Sequence, residues 1–473
     1  MKTELLSVGI DIGTTTTQVV FSRLTLANVA PAFSVPRIEI VGKRVVYEGA
    51  IHLTPLSSEN RLDGEALRRI VEGEFGKAGY APADTDTGAV IITGEAVRKE
   101  NARLVLEMAS GMAGDFVVAS AGPDIESIIA GKGSGAQKHS RENGCVTANL
   151  DIGGGTTNIA VFSSGDIVAT GCYDIGGRLI RLSRDGTVEY VSDKAALVAR
   201  HAGVAVRPGE KAHPGTIARV ASGMNTLLKE ALGLAPRTDL LRAVRTPGAS
   251  DLTLAVPIDA IAFSGGVADC IYRPVRDDFA YGDMGVLLGR AIAAGRLRTA
   301  FRQCEPGETI RATVIGAGSY ATTVSGSTIG YAENVLPRKS LLAIALPPPG
   351  EEKLYRGEAD SLKERLALSD AGGGMVLALR GKADPAYREL QLAAECIARA
   401  TETRLDFGEP LFVAVERDMG KALALCLEKS LAGRRPVVCI DGISVSDGDY
   451  LDMGAPVMDG VAIPVVVKTL VFG

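Results

Sequence analysis

The feature that most constrains this chain is a pattern written twice. Val8-Gly9-Ile10-Asp11-Ile12-Gly13-Thr14-Thr15-Thr16-Thr17-Gln18-Val19-Val20-Phe21 is matched by Asn149-Leu150-Asp151-Ile152-Gly153-Gly154-Gly155-Thr156-Thr157-Asn158-Ile159-Ala160-Val161-Phe162. Each copy predicts an apolar strand, an aspartate, a glycine-threonine turn and a returning strand, which together make a hairpin. Its tip presents backbone N–H groups and hydroxyls beside a carboxylate. Glycine lets the backbone approach phosphate oxygens, and successive N–H groups form an anion-binding concavity. A carboxylate at each strand end can hold a hydrated Mg²⁺, which keeps most of its waters. Asp and Gly also make ordinary turns, so one hairpin says little. Two copies predict a duplicated domain with a nucleoside triphosphate clamped between its halves.

At 473 residues the chain exceeds the size at which one core stops growing, so several domains are expected. The formal net charge of −5 comes from interspersed acids and bases, which argues against a nucleic-acid partner. Seven scattered cysteines, with no C-x-x-C pair, read as reduced thiols and not as a disulfide frame or zinc site. Strand pattern begins by Leu5, leaving no room for a signal peptide, and no apolar run is long enough to cross a bilayer. The expectation is a cytoplasmic protein with no membrane partner.

Along the chain, strand and helix patterns alternate, as an α/β protein requires. Strands are expected at 38–46, 89–93, 116–119 and 258–263, and helices at 64–75, 96–112 and 122–131, the last with Pro123 near its start. Residues 347–352 (Pro347-Pro348-Pro349-Gly350-Glu351-Glu352) read as a linker. Beyond it, 375–379, 411–415 and 437–440 predict strands and 419–431 a helix. The expected division is a first half at 1–144 with an insertion at about 24–88, a second half at 145–335, and an α/β extension at 336–473.

In order, Asp11-Ile12-Gly13-Thr14-Thr15, Gly122-Pro123 to Gly131, Asp151 to Thr156, Ser264-Gly265-Gly266 and 283–294 resemble five elements of the actin, sugar-kinase and heat-shock-chaperone ATPases. There they are the first phosphate loop, first connecting helix, second phosphate loop, adenosine loop and second connecting helix. The resemblance implies a duplicated actin-like (ribonuclease H-like) fold, with ATP and Mg²⁺ as cofactors. By the same resemblance, Gly13, Thr14 and Thr15 contact the β- and γ-phosphates, and Gly153, Gly154, Gly155 and Thr156 do so from the opposite side. Asp11 and Asp151 bind Mg²⁺ through water, with Asp151 also orienting or activating the attacking water, and Gly265 and Gly266 lie against the adenosine. One position departs: the chaperone pattern has a glutamate before the helix proline, where this chain has Gly122. Glu126, one turn further on, is the nearest alternative, although it aligns with a structural position. Slow, switch-like hydrolysis is therefore expected, well below ~10 s⁻¹.

Across its length the chain resembles the ethanolamine ammonia-lyase reactivating factors, most clearly at 5–21, 122–135, 150–162, 279–294 and 437–467. This resemblance, and no spacing or composition, implies the partner: the adenosylcobalamin-dependent ethanolamine ammonia-lyase, from which damaged cobalamin is released at the expense of ATP. Location in a bacterial microcompartment is implied only through that partner. Two other readings stay open: a small-molecule kinase on the same fold, and a nucleotide-switched scaffold or filament protein.

Other motifs weigh less. Thr313-Val314-Ile315-Gly316-Ala317-Gly318-Ser319-Tyr320-Ala321 mimics a dinucleotide fingerprint, with Glu333 at the distance of its acid. The residues after it open a helix poorly, so a strand and turn are expected. Gly131-Lys132-Gly133-Ser134-Gly135 lacks the lysine–serine pair of a P-loop and is expected to be a mobile loop, and Ala371-Gly372-Gly373-Gly374 a turn. His52, His139, His201 and His213 share no ligand spacing, and no D-x-H-x-x-G motif for cobalamin is present. Arg178, Arg181 and Arg184 form either a basic patch near the nucleotide or solvated loop charges.

Overall fold

The computed structural model describes residues 4–14, 16–30, 38–58, 61–94, 96, 99–113, 117–121, 123–183, 185–320, 322–325, 328–367, 374–402 and 408–468. Thr15, Gly122, Arg184 and the 371–373 stretch lie outside them.

Two sheets share one strand order. In the first, Glu4–Ile12 pairs antiparallel with Thr16–Asn28, and that strand antiparallel with Ile38–Glu48. On its other side Glu4–Ile12 runs parallel to Thr87–Ile92, which runs parallel to Val117–Ala121. In the second, Val146–Ile152, Thr157–Ser163 and Asp166–Tyr173 form the antiparallel meander, with Ala260–Ser264 and Arg302–Gln303 as the parallel strands. The chain is thus a duplicated α/β protein.

The period-two pattern fixes which face of each sheet is oily. Leu6, Val8, Ile10 and Ile12 pack on Leu67, Val71 and Phe75 of helix Gly64–Ala78 and on Val105 and Leu106 of helix Ala102–Ala113. That first helix is held at both ends: the Asp63 side chain accepts from Ala66 N, and Gly79 closes it at φ 74°. The opposite face of Glu4–Ile12 carries Ser7, Gly9 and Asp11, and the matching face of Val146–Ile152 carries Thr147, Asn149 and Asp151. Small and polar residues there let a helix lie close to each sheet.

Those helices are Pro123–Gly133 and Ala312–Tyr320. They cross with backbone against backbone: a Cβ on Gly133 would lie 1.7 Å from the Ala312 carbonyl oxygen, and one on Gly316 2.0 Å from that of Ile129. Ala312–Tyr320 lies on the first sheet, with Val314 and Ile315 against Val20. Pro123–Gly133 lies against the second, where a Cβ on Gly131 would strike the Phe162 ring at 2.5 Å.

Three expectations are corrected here. The second connecting helix is Ala312–Tyr320 and not 283–294; helix Gly285–Ala293 buries Val286, Leu288 and Ile292 in the second half's own core. The same finding replaces the strand and turn expected at 313–321, because Gly316 serves close helix packing and not a loop. Residues 131–133 continue a helix, and Gly135, at φ 91°, caps the next one, so the expected loop is absent.

The third sheet has the order Thr322–Val324, Pro464–Lys468, Tyr450–Met453, Arg338–Ala345, Met375–Leu379, Leu411–Val415, Val437–Asp441, Gly330–Tyr331. Helices Pro348–Leu354, Asp360–Ala367, Tyr387–Thr401 and Gly420–Leu431 cover one face. The expected linker at 347–352 is therefore the start of a helix. Pro348 at its first turn favours that geometry, and buried Glu351 accepts from Arg380 N at 2.9 Å and Gly381 N at 2.7 Å. Two contacts tie this sheet to the rest. Val466 packs with Ala89, Ile91, Ile129 and Ala317, and Val457 and Ala462 pack on Leu5, Leu24, Leu26 and Ile38.

Substituting Gly316→Val should lower unfolding stability by about 3 kcal/mol or more, since the new side chain meets backbone that cannot yield. Gly73→Ala, in a helix interior with nothing within 4 Å, should be neutral or gain about 0.5–1 kcal/mol. Guanidinium unfolding of the two variants beside the wild type checks both.

Candidate functional site

Between the halves lies a cavity of about 320 Å³. Asp11, Gly13, Thr14, Asp151, Gly153, Gly154, Gly155, Thr156, Gly265 and Gly266 all line it. Every candidate residue except Thr15, which is outside the described residues, therefore faces one space.

The two tips are built alike. Gly13 N donates to Thr16 O at 2.9 Å, and Gly153 N donates to Thr156 O at 2.9 Å. These two N–H groups close the turns, leaving Thr14 at the first tip and Gly154 and Gly155 at the second. Thr54 Oγ1 donates to Gly13 O at 2.8 Å and steadies the first tip. The second is buttressed by Gly177 N to Gly153 O at 3.0 Å and Arg178 N to Gly154 O at 2.7 Å. Gly265, at φ 83°, passes so near the end of Val146–Ile152 that a Cβ would lie 2.5 Å from Ile152 O. Any other residue there would have to displace that strand.

The carboxylates are held by hydroxyls. Thr93 Oγ1 donates to Asp11 at 2.9 Å, while Ser264 Oγ and Thr313 Oγ1 donate to Asp151 at 2.6 Å and 3.1 Å. Thr93 ends a first-sheet strand, and Thr313 stands at the start of the crossing helix. Sequence reading missed both in this role; their one signal was a hydroxyl at the end of an apolar strand or just inside a helix.

Electrostatics set the chemistry. Asp11, Glu126, Asp151, Asp269 and Asp283 line the cavity, against Arg178 as the one basic side chain among its described lining residues. Burial, and then the charge of Asp151, push the Asp11 carboxyl up to about 7 despite the Thr93 bond. Burial also raises Asp151. Glu126 is pushed well above the usual carboxylate range by burial and by both aspartates. So acidic a space could take a polyanion only together with a cation. The donor set fits a hydrated Mg²⁺. Among the described residues no three His, Cys, Asp or Glu side chains group closely enough to hold a bare metal ion.

Of the three arginines, Arg178 lines the cavity, and Arg181 lies over the Tyr190 ring at 4.8 Å. His52 bonds Glu74, His139 bonds Thr147, His201 ends helix Asp193–His201 and His213 caps another, so each stands at a different place. All seven cysteines are buried and free. Among the described residues no helix is long and apolar enough to cross a membrane.

A doubled sheet of this strand order, with two hairpin tips and two crossing helices around one cleft, is the actin-like fold. Residues 3–473 match the family described as ethanolamine utilisation protein EutA, and the chain belongs to that family. The ethanolamine ammonia-lyase reactivase EutA of Salmonella typhimurium is 37% identical over 478 residues, covering 99% of each chain. That of Escherichia coli is 37% identical over 472 residues, again covering 99% of both. Among solved structures, the ethanolamine utilization protein EutJ from Carboxydothermus hydrogenoformans matches at 15% identity and a TM-score of 0.30. It covers 66% of this chain and 89% of its own. The ROK hexokinase from Thermus thermophilus matches at 15% identity and TM-score 0.33, over 66% and 97%. Likenesses this slight carry no argument.

An Asp11 carboxyl at about 7 in the folded chain, against 3.8 unfolded, means the folded state binds the extra proton. Its contribution to ligand-free stability is full below pH ~4 and is lost as pH rises through ~7. Asp11→Asn should therefore raise the melting temperature by several degrees at pH 8 and much less at pH 5. An equal difference at both pH values would contradict the assignment.

Proposed function

We propose that this protein is an ATP-dependent reactivating factor for ethanolamine ammonia-lyase, with Mg²⁺-ATP bound between its halves. One observation carries the reading: two equivalent hairpin tips and their aspartates face one cavity in a chain whose full-length relatives are named as reactivases of that lyase.

In this reading the tip residues Thr14 and Thr15, and Gly154, Gly155 and Thr156, contact the phosphates from opposite sides. Gly265 and Gly266 give the adenosine a flat backbone surface. Mg²⁺, when bound, neutralises phosphate charge, which is most of what phosphoryl transfer asks of a protein. Asp11 and Asp151 hold its waters, and Asp151 orients the attacking water and accepts its proton. The Thr93, Ser264 and Thr313 hydroxyls keep these carboxylates aimed. With Gly122 where a chaperone has glutamate, hydrolysis is slow and suits a timed switch.

The work on the lyase is a coupling problem. A ligand shifts an equilibrium only by its differential affinity for two states. ATP and ADP must therefore favour different angles between the halves, and the lyase must bind one of them better. The proposed units are 1–144, 145–335 and 336–473, except that 312–320 packs on the first sheet and 322–324 and 330–331 join the third; the proposed place is the cytoplasm or a microcompartment that houses the lyase. The kinase and scaffold readings have no observation in their favour here.

Lyase inactivated by bound cyanocobalamin tests this. With Mg²⁺-ATP and fresh adenosylcobalamin, this protein should restore acetaldehyde release, and Asp11→Ala and Asp151→Ala should each abolish the recovery. ATP turnover should stay well below ~10 s⁻¹. Full recovery without ATP, or in both variants, would sink the proposal.

A further inference from the structure

The registers of the two hairpins share a second detail. Asp11 is paired across its hairpin with Gln18, and Asp151 is paired with Asn158. Side chains of a cross-strand pair share a face. Each cleft aspartate therefore has a carboxamide beside it, on the strand leaving the tip.

Both amides are deeply buried, Gln18 at 4% exposure and Asn158 at 1%. Yet among the described residues Gln18 Oε1 and Asn158 Oδ1 find no hydrogen-bond donor. A buried carbonyl left so loses its solvation without recompense. Two of them at equivalent positions mark a place where donors belong. Gln18 also lines the cavity itself. Asn158 bonds Glu126 through its side chain, and Glu126 in turn accepts from Gly94 N at 3.4 Å.

A hydrated divalent cation has the matching chemistry, because its waters turn their hydrogens outward toward acceptors. Neutral acceptors also suit a cavity that already holds five carboxylates and one arginine among its described lining. A further acid would add repulsion, whereas an amide oxygen accepts without adding charge.

We infer that Gln18 and Asn158 are a matched pair of positioning residues that accept hydrogen bonds from the waters of the cleft's divalent cation, with Glu126 fixing the Asn158 amide. The inference rests on the nucleotide reading above and adds to it three residues outside the tips. They act on the nucleotide through the cation's water shell and touch no phosphate.

The test measures binding and not turnover. A fluorescent ATP analogue is titrated into the full chain in EDTA and then across a Mg²⁺ series. For Gln18→Leu and Asn158→Leu, the Mg²⁺ giving half of the affinity gain should rise about tenfold, as losing an outer-sphere partner does. Affinity in EDTA should stay within about twofold of wild type. Gln18→Glu and Asn158→Asp keep an acceptor and add a charge that draws the cation in, so they should need less Mg²⁺ than wild type. An unchanged Mg²⁺ requirement in both leucine variants overturns the inference, and so does an EDTA affinity that falls in step with it. Should the leucine variants fail to fold, the acidic pair decides: a lowered Mg²⁺ requirement supports the inference, and an unchanged or raised one overturns it. Nucleotide binding by wild type that ignores Mg²⁺ altogether would defeat this inference alone. No binding at all would defeat the nucleotide reading with it.

Discussion

The closeness of two helices decides where everything else in the cleft can stand. Pro123–Gly133 and Ala312–Tyr320 touch through Gly133 and Gly316 with no side chain between them. Their separation is therefore set by backbone alone. Each helix rides on a different sheet, so the crossing also sets how far apart the two sheets, and hence Asp11 and Asp151, are held. A pair of larger residues at the crossing would move the two hairpin tips apart before it disturbed either core.

Held at that distance, the acids conflict with one another. Burial raises the proton affinity of Asp11, Asp151 and Glu126; the charge of Asp151 raises that of Asp11 further, and both aspartates raise that of Glu126. In the reading proposed above, a cation-bound polyanion would relieve this conflict and so favour the conformation in which both halves contact it. The strain that makes the cavity costly is thus what makes occupancy informative to the rest of the chain. A cleft that was electrostatically neutral when empty could bind a nucleotide without being closed by it.

Much of this was legible because it depends on local periodicity. Asp11, Gly13 and Thr14 with Asp151 to Thr156 are readable from spacing, since a hairpin tip is made by neighbours in sequence. Met375–Leu379 and Leu411–Val415 match expectation to the residue for the same reason. What failed was long-range. Residues 312–320 were misread because Gly316 has the same small side chain in a phosphate turn as at a helix crossing, and only its partner Ile129 tells the two apart. The proline run at 347–349 resembled a linker until Glu351, three residues into the helix, found the Arg380 and Gly381 amides across the fold. Thr93 and Thr313 become noticeable only once Asp11 and Asp151 are placed beside them.

The packing of Val457 and Ala462 on Leu5, Leu24, Leu26 and Ile38 has a consequence for how the protein is made. The chain emerges from the ribosome from its N-terminus, at about 5–20 residues per second. The first sheet is therefore complete while the segment that covers this strip is still unmade, for roughly 17–70 s at that speed. Throughout that interval an oily strip lies open on the earliest-formed part of the molecule. Biogenesis, and not the finished structure, is where this fold is most exposed to wrong partners.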